Sequence, residues 1–224
     1  MKLRRSILLS AGIPIIWVSP DEVSLETLES SELREAPELV RCAIRVAHKL
    51  ARDGVRYRHD GTLSKADLDR PPLALSCSEM VYFAFASCGV DLGDAHMRTK
   101  FLAFADPPPY QSSMKRISDG TILPGDLLVY HRDREVVERE AAERGRTLPG
   151  HVVIAVSPEK NMVIGSHGRE STPEGGLTGV GYRTLPDGFS TWTLGRTLRA
   201  VYRLESRSST ITVAETSTRT HEPE

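Results

Sequence analysis

The residue with the clearest capacity for chemistry is a cysteine at the start of an apolar helix. Ser76 and Glu79 stand three apart around Cys77, which is the spacing of a capping box, in which each side chain satisfies a backbone N–H at the helix start. This spacing predicts Ser76 as the N-cap and Cys77 as the first helical residue. A thiol there lies at the positive end of the helix dipole, which lowers its pKa and favours the reactive thiolate.

Two histidines mark the ends of two consecutive predicted strands. His151 opens the apolar run 151–156, His167 closes the run 162–167, and the segment between them has the composition of a turn. The start of one strand and the end of the next lie side by side in an antiparallel hairpin, so we expect the two rings to be neighbours. A cysteine nucleophile needs such a pair, because one group must take the thiol proton and another must orient that base.

The elements that would position these residues indicate an α+β fold. An amphipathic stripe predicts a helix from Pro37 to about Gly54, and the cysteine helix should run to Gly89 with apolar residues on nearly all faces. Apolar or alternating runs predict strands at 127–130, 151–156, 162–167 and 198–204. We expect N-terminal helices packed on a small antiparallel sheet of about five strands.

Residues 37–204 are predicted to form one domain between flanking segments. Residues 1–19 carry basic residues and a short apolar run that resembles the start of a signal peptide, although Pro14 interrupts it and a disordered or strand-like leader is the alternative. The acidic residues 20–36 are predicted to be a linker, and the Ser/Thr-rich residues 205–224 to be disordered. These features favour a secreted or periplasmic location over a cytoplasmic one, without stable membrane insertion.

Composition excludes several functional classes. A net charge of −1 gives no electrostatic footprint for nucleic acid. Spacings typical of metal ligands are absent, so neither a metal nor an organic cofactor is expected.

Cys42, Cys77 and Cys88 do not form a disulfide framework, and we expect Cys42 and Cys88 to pack as free thiols. Four further histidines are expected at the surface: His48, His59, His96 and His131.

The segment 131–148 is unusually rich in both acidic and basic residues. Its composition predicts an exposed helix or loop inserted between two strands. We expect this insertion to cap the cleft or to offer a surface for a protein partner.

Five local motifs follow one another along the chain: GVRY at 54–57, SCS at 76–78, LPGDL at 123–127, GHVVI at 150–154 and IGSH at 164–167. Together they resemble the motifs of the NlpC-type papain-like cysteine peptidases, a bacterial family of cell-wall hydrolases. The sequence departs from the family pattern at Ser76, where an Asp is usual, and at Glu79, where a Gly is usual. The family's Trp-Gly-Gly after the tyrosine is also absent.

The resemblance implies a papain-like fold and a cysteine amidase or endopeptidase that cleaves the peptide stem of peptidoglycan. Cys77 would be the nucleophile, His151 the base and His167 the group that orients it. The hydroxyl of Tyr57 would stabilise the oxyanion together with the backbone N–H of Cys77. The residues implied on the oxyanion and substrate side are Tyr57, Ser76 and Ser78.

Other functions stay compatible with these residues. A papain-like effector or acyltransferase could act on an amide or thioester outside the cell wall, and a leader that is not removed would favour it. An inactive module could bind cell wall or protein on the same fold, in which case Cys77 would resist a mild alkylating agent at neutral pH. The five motifs could also be chance matches in an unrelated α+β domain.

Overall fold

The computed structural model describes residues 16–23, 31–59, 63, 68, 72–93, 98–106, 113–145, 149–168, 178–193 and 195–205. The helices are α1 (Ser31–Glu35), α2 (Glu38–Arg52), α3 (Cys77–Ala86), α4 (Thr99–Phe104) and α5 (Arg134–Arg144). The strands are β1 (Ile16–Val18), β2 (Arg56–Tyr57), β3 (Ala74–Leu75), β4 (Met114–Ile117), β5 (Leu127–His131), β6 (His151–Ser157), β7 (Met162–His167), β8 (Gly179–Thr184), β9 (Thr191–Trp192) and β10 (Arg196–Leu204). This mixture confirms the predicted α+β class.

A large antiparallel sheet organises the described residues. Seven strands lie in the order β1-β8-β7-β6-β5-β10-β4, β9 pairs with β10, and β2 and β3 form a separate parallel pair. The predicted sheet of about five strands was too small. β8 was missed because its sequence alternates glycine with apolar residues. Glycine fits at position 179, because a Cβ there would come within 2.5 Å of the Val55 carbonyl oxygen.

Part of the predicted flanking segments takes part in the fold. β1 belongs to the predicted leader 1–19 and pairs with β8, where Trp17 opposes Arg183. α1 belongs to the predicted linker 20–36, and its Leu33 is buried in the main core. Residues 1–15 and 206–224, which hold the rest of the leader and most of the predicted tail, lie outside the described residues.

The sheet carries a different apolar cluster on each face. α2 and α3 pack on one face, and the main core there includes Val152 and Ile154 of β6. The other face carries a smaller cluster: Leu128, Tyr130, Val153, Ala155, Val163, Leu185, Trp192 and Val201. Successive residues of a strand point to opposite faces, which explains why Val152 and Val153 belong to different clusters.

A disulfide bond joins Cys42 of α2 to Cys88, just after α3 ends. The expectation that these cysteines pack as free thiols was therefore wrong. The two cysteines are 46 residues apart in the sequence, and that separation gave no indication that they pair. The bond forms because the packing of α2 on α3 brings the two Cα atoms to 5.9 Å. Cys77 is left as the free cysteine of the chain.

Candidate active site

The predicted capping box places Cys77 at the start of α3. Oγ of Ser76 accepts a hydrogen bond from the backbone N–H of Glu79 at 3.3 Å, and Oε2 of Glu79 accepts one from the backbone N–H of Ser76 at 2.8 Å. Both backbone donors at the helix start are satisfied, so the position of Cys77 is defined by its two neighbours.

Glu79 also ties the start of α3 to the residues that follow β2. Its carboxylate accepts from Nη2 of Arg58 at 2.8 Å, from Nε of Arg58 at 3.2 Å and from the Leu63 backbone N–H at 2.8 Å. Burial raises the pKa of Glu79, but the hydrogen bonds from Arg58, Ser76 and Leu63 outweigh it and lower the pKa below its ordinary value. Glu79 is therefore a charged, fully buried anchor.

The Cys77 thiol lies in a nearly closed environment. The residue is 9% exposed, and burial raises the pKa of its thiol. The backbone N–H groups of Val152 and Ser78 and the charge of Arg196 act in the opposite direction and lower that pKa. The effect of Val152 places the sulfur beside the peptide group that joins His151 to Val152.

His151 and His167 form the hydrogen-bonded pair that the hairpin geometry predicted. Nε2 of His151 lies 3.0 Å from Nδ1 of His167, and Nε2 of His167 lies 3.0 Å from the carbonyl oxygen of Gly181. A carbonyl only accepts, so His167 carries its hydrogen on Nε2 and, when neutral, accepts on Nδ1. His151 then donates from Nε2, and its Nδ1 is left as an acceptor.

Both imidazoles of the pair are held neutral. Burial lowers the pKa of His151 well below its ordinary value, and the charges of Arg196 and Arg183 lower it further. Burial likewise lowers the pKa of His167, followed by the charges of Arg183 and of His151. The rings pack against Trp192, at centroid distances of 4.8 Å for His151 and 5.7 Å for His167. A neutral base can accept a proton at neutral pH.

The thiol and the imidazole pair meet at the same end of the sheet, on either side of β6. Val152 faces α3, whereas His151 alternates with it and joins Trp192 on the other face. Among the hydrogen bonds of the described residues, none joins Sγ of Cys77 to the His151 ring.

Tyr57 lies between the segment before Cys77 and the residue after His167. It pairs with Leu75 across the β2–β3 ladder, and its ring packs on Gly168, where a Cβ would come within 2.7 Å of the ring. Its hydroxyl lies 3.5 Å from Nδ1 of His59. The structure thus brings Tyr57 to the mouth of the site, together with Ser76 and the half-buried Ser78.

Two histidines expected at the surface are buried. His48 forms a hydrogen bond between its Nδ1 and the hydroxyl of Tyr182, at 2.8 Å, on the face of the sheet that the helices cover. His131, at the end of β5, is 2% exposed and packs edge-on against Phe104, and burial lowers its pKa to about 4. β5 is buried at all five positions, and a strand that is buried on both faces also buries the histidine at its end. His59 is exposed, and His96 lies outside the described residues.

Two residues of the site were missed altogether, namely Trp192 of β9 and Arg196 of β10. Both are buried, and they face each other across the β9–β10 pair. Trp192 contacts both imidazoles, and the charge of Arg196 lowers the pKa of Cys77 and of His151. The two strands are joined by a short turn far along the chain from Cys77, and neither residue belongs to a motif that spacing could reveal.

A groove of about 600 Å³ lies upstream of Tyr57 and Cys77 along the chain. Its largest apolar side chain, Leu73, is 90% exposed. The residues that line it are Asp53, Gly54, Val55, Arg56, Pro72, Leu73 and Ala74. β2 and β3 begin beside this groove and end at Tyr57 and Leu75, the residue before Ser76.

Within the described ranges, none of the helices is long and apolar enough to cross a bilayer, and no group of three or more His, Cys, Asp or Glu side chains is arranged to hold a metal ion. The chain matches no protein-family model and no curated protein sequence. The functional interpretation therefore depends on the geometry and on the motifs of the chain itself.

Proposed function

We propose that this protein is a cysteine amidase or endopeptidase that works through Cys77, His151 and His167. The observation that carries the proposal is the hydrogen-bonded chain from His151 through His167 to Gly181, at the same end of the sheet as a thiol fixed at a helix start. That chain gives His151 one defined tautomer with an acceptor at Nδ1. A base whose tautomer is fixed by a second polar group is one part of the arrangement that supports a cysteine nucleophile.

In the proposed reaction, the Cys77 thiol gives its proton to Nδ1 of His151 and the sulfur attacks an amide carbonyl. The backbone N–H of Cys77 and the Tyr57 hydroxyl donate to the oxyanion, and losing one such donor costs about 10²–10³-fold in rate. The C–N bond then breaks, His151 returns the proton to the leaving amine, and a thioester remains. Water, deprotonated by His151, hydrolyses the thioester and restores the thiol.

The proposed substrate is a peptide stem of peptidoglycan, cut at an amide that involves a D-amino acid or a γ-linkage. Two features support this class: the five motifs that resemble the NlpC-type peptidases, and the groove beside β2 and β3, the strands that precede Arg58 and Ser76. The Cys42–Cys88 disulfide supports a secreted or periplasmic site of action, because such bonds persist in oxidising compartments. The segment 131–148, which forms α5 and ends outside the described residues, stays a candidate surface for a protein partner.

The proposal is tested by incubating purified peptidoglycan with the wild type and with Cys77→Ala and identifying the released fragments by mass spectrometry. We expect cleavage by the wild type and none by Cys77→Ala. The matched control is the double variant Cys42→Ala/Cys88→Ala, which keeps Cys77 and should still cleave at a temperature where it is folded. Full activity of Cys77→Ala would remove the nucleophile from the proposal.

Two observations favour a second candidate, an inactive binding module on the same fold. The thiol and the His151 ring share no hydrogen bond among the described residues, and burial raises the thiol pKa. A binding module would retain peptidoglycan in a sedimentation assay without releasing fragments from it. Slow alkylation of Cys77 at neutral pH together with retention would favour this candidate over the hydrolase.

A further inference from the structure

The ribbon of β2 and β3 has one side that no strand of the described residues covers. On one side of β2, the carbonyl oxygen of Val55 accepts from the backbone N–H of Val180 in β8 at 2.8 Å. On its other side β2 pairs in parallel with β3, where Arg56 lies opposite Ala74. Within the described ranges β3 pairs with β2 alone, so its outer side is open. We call the backbone of Ala74, together with the side chains of Leu73 and Arg56, the β3 edge.

Ala74 directs its backbone donor and acceptor away from β2. The backbone N–H of Arg56 donates to the Leu73 carbonyl oxygen at 3.0 Å. Two residues further on, the backbone N–H of Arg58 donates to the Leu75 carbonyl oxygen at 3.3 Å. Because the backbone groups of successive strand residues point to alternate sides, Ala74 faces outward. Its residue is only half-buried, and no hydrogen bond between described residues uses its N–H or C=O.

The side chains of the β3 edge are a cation and an exposed leucine. Arg56 is exposed, and no carboxylate in the described part of the chain pairs with it. Asp53, the acidic residue of the same groove, is already paired with Nζ of Lys49 at 2.6 Å. Leu73 is almost fully exposed to solvent. The β3 edge therefore combines unused backbone groups, positive charge and apolar surface, which together suit an extended chain with an acidic residue between apolar ones.

We propose that the β3 edge binds an extended segment of a partner protein, which adds an antiparallel strand beside Ala74 and places an acidic residue opposite it. In antiparallel pairing one residue exchanges both hydrogen bonds with its opposite, so the single outward residue of β3 is sufficient. Addition of a strand to an open edge is a recurring mode of peptide recognition, in which backbone bonds give affinity and side chains give specificity.

The strand register explains why the acidic residue belongs opposite Ala74. Residues that lie opposite one another in a ladder share one face of the sheet, so Arg56, Ala74 and the bound acidic residue have side chains on the same face. The bound backbone lies two strand spacings, about 10 Å, from that of β2. The side chain between them is only the methyl group of Ala74, so a glutamate extends over it to the guanidinium of Arg56.

The backbone spacing favours a protein segment over a peptide stem of peptidoglycan as the occupant. Continued pairing with a strand needs α-linked L-residues that repeat at about 3.3 Å. A γ-linkage inserts two extra carbon atoms between neighbouring amide groups, and D-residues reverse the side-chain direction. The β3 edge does not include Cys77, His151 or His167, so this inference goes beyond the proposed hydrolase and does not depend on it.

The backbone contact is tested with an end-capped, fluorescein-labelled peptide, Thr-Val-Glu-Val-Thr, whose binding to the full chain is followed by fluorescence anisotropy. We expect saturable binding, weakened about tenfold or more by N-methylation of the glutamate, because that N–H donates to the Ala74 carbonyl. N-methylation of the valine that follows is the matched control, because its N–H points away from β3, and affinity should stay unchanged. Both comparisons leave the protein itself unaltered.

The charge contact is tested with Arg56→Gln and with a second peptide that has glutamine in place of glutamate. We expect the variant to bind the glutamate peptide up to about fivefold more weakly than the wild type does, and to bind both peptides equally. Arg139→Gln, at an exposed position of α5, is the matched control and should bind like the wild type. Equal affinity of the wild type for both peptides, or equal effects of the two N-methylations, would overturn the proposal.

Other occupants of the β3 edge give distinct results. A soluble stem peptide that displaces the labelled peptide more strongly than unlabelled Thr-Val-Glu-Val-Thr would assign the edge to the cell wall and overturn the proposal. A dimer of the chain alone, detected by sedimentation equilibrium and lost in Arg56→Gln, would assign it to a second copy with the same consequence. Unchanged peptide binding in Cys77→Ala would support a surface that is separate from the proposed reaction.

Discussion

Each imidazole of the site has one defined hydrogen position, because the chain of acceptors ends at a carbonyl that cannot donate. The Gly181 carbonyl fixes the tautomer of His167, and His167 fixes that of His151. Trp192 packs against both rings and covers the pair. A neutral, oriented acceptor thereby results from three side chains on three strands, none of which needs to be charged.

Replacing His167 tests whether this orientation matters to the reaction. His167→Ala removes the acceptor for Nε2–H of His151, so the His151 ring can adopt the wrong tautomer. We expect kcat to fall by about 10²-fold or more, within the range for a general base that loses its function. His167→Asn can accept from His151 and donate to Gly181, and it should keep most of the activity. Equal kcat values for the two variants, measured at saturating substrate, would contradict the orienting role.

The sequence predicts only those parts of the site whose residues are close together along the chain. The capping box depends on residues three apart, and the histidine pair depends on one hairpin, so both follow from adjacent segments. Trp192 and Arg196 reach the site from β9 and β10, through strand pairing that no local pattern encodes. The position of the His151 ring across β6 from the thiol also depends on which face α3 covers, and that is decided by the whole sheet.

At the scale of elements, the start of α3 is held by a buried carboxylate and the end of α3 by a disulfide. Glu79 joins the helix start to Arg58, and Ser166 of β7 adds a hydrogen bond from its Oγ to the Leu75 carbonyl at 2.6 Å. Cys88 joins the chain just after the helix to α2. Cys77, the proposed nucleophile, therefore lies on an element fixed at both ends, which is what preorganisation of a site requires.

Removing the charge of Glu79 should destabilise the protein strongly. In Glu79→Gln, Arg58 loses its buried partner, and we expect the free energy of unfolding in urea to fall by about 3 kcal/mol. Ser76→Ala removes only the N-cap and should cost about 1 kcal/mol. The control is Glu38→Gln, because its ion pair with Arg41 is exposed and should change stability by less than about 0.5 kcal/mol. A loss no larger than that of the control would contradict the anchoring role of Glu79.

Removing the disulfide should have an effect of similar size through the unfolded state. Closing a loop between residues 46 apart stabilises by about 4 kcal/mol in the chain-entropy estimate. We expect Cys42→Ala/Cys88→Ala to lose up to about that amount, measured by urea unfolding without reductant. A thiol titration of the denatured wild-type protein should find one free thiol, whereas three free thiols would contradict the bond.

At the scale of the whole molecule, the sheet separates two apolar layers, and the site lies where their ends meet. The predicted helices and four of the strands followed from apolar periodicity, and they appear within a few residues of the predicted bounds. β4 and β8 were missed, because their short or glycine-containing sequences acquire strand structure only by pairing with neighbours. Tertiary pairing, rather than local propensity, sets the size of this sheet.

Buried neutral histidines should make the whole molecule sensitive to mild acid. His48, His131, His151 and His167 all have pKa values lowered by burial, whereas in the unfolded chain each titrates near 6.5. Below about pH 6.5 the unfolded state binds more protons, so the free energy of unfolding should fall with pH, by up to about 1.4 kcal/mol per pH unit for each histidine.

Urea unfolding at a series of pH values between about 6.5 and about 4.5 measures this slope, because the carboxylates, Glu79 among them, titrate mainly below that window. His59→Gln is the control, since His59 is exposed and its replacement should leave the slope unchanged. A free energy of unfolding that stays constant across the window would show that the four histidines do not titrate differently in the two states.

We propose that the Cys77 sulfur becomes covalently acylated by substrate. The most direct measurement is to quench a reaction with peptidoglycan fragments in acid, digest the protein and identify the acylated peptide by mass spectrometry. The account predicts a thioester on Cys77 that appears in the wild type and accumulates further in a variant with slowed hydrolysis, such as His151→Ala supplied with an activated thioester substrate. Substrate turnover without any mass on the Cys77 peptide, or with the acyl group on another residue, would contradict it.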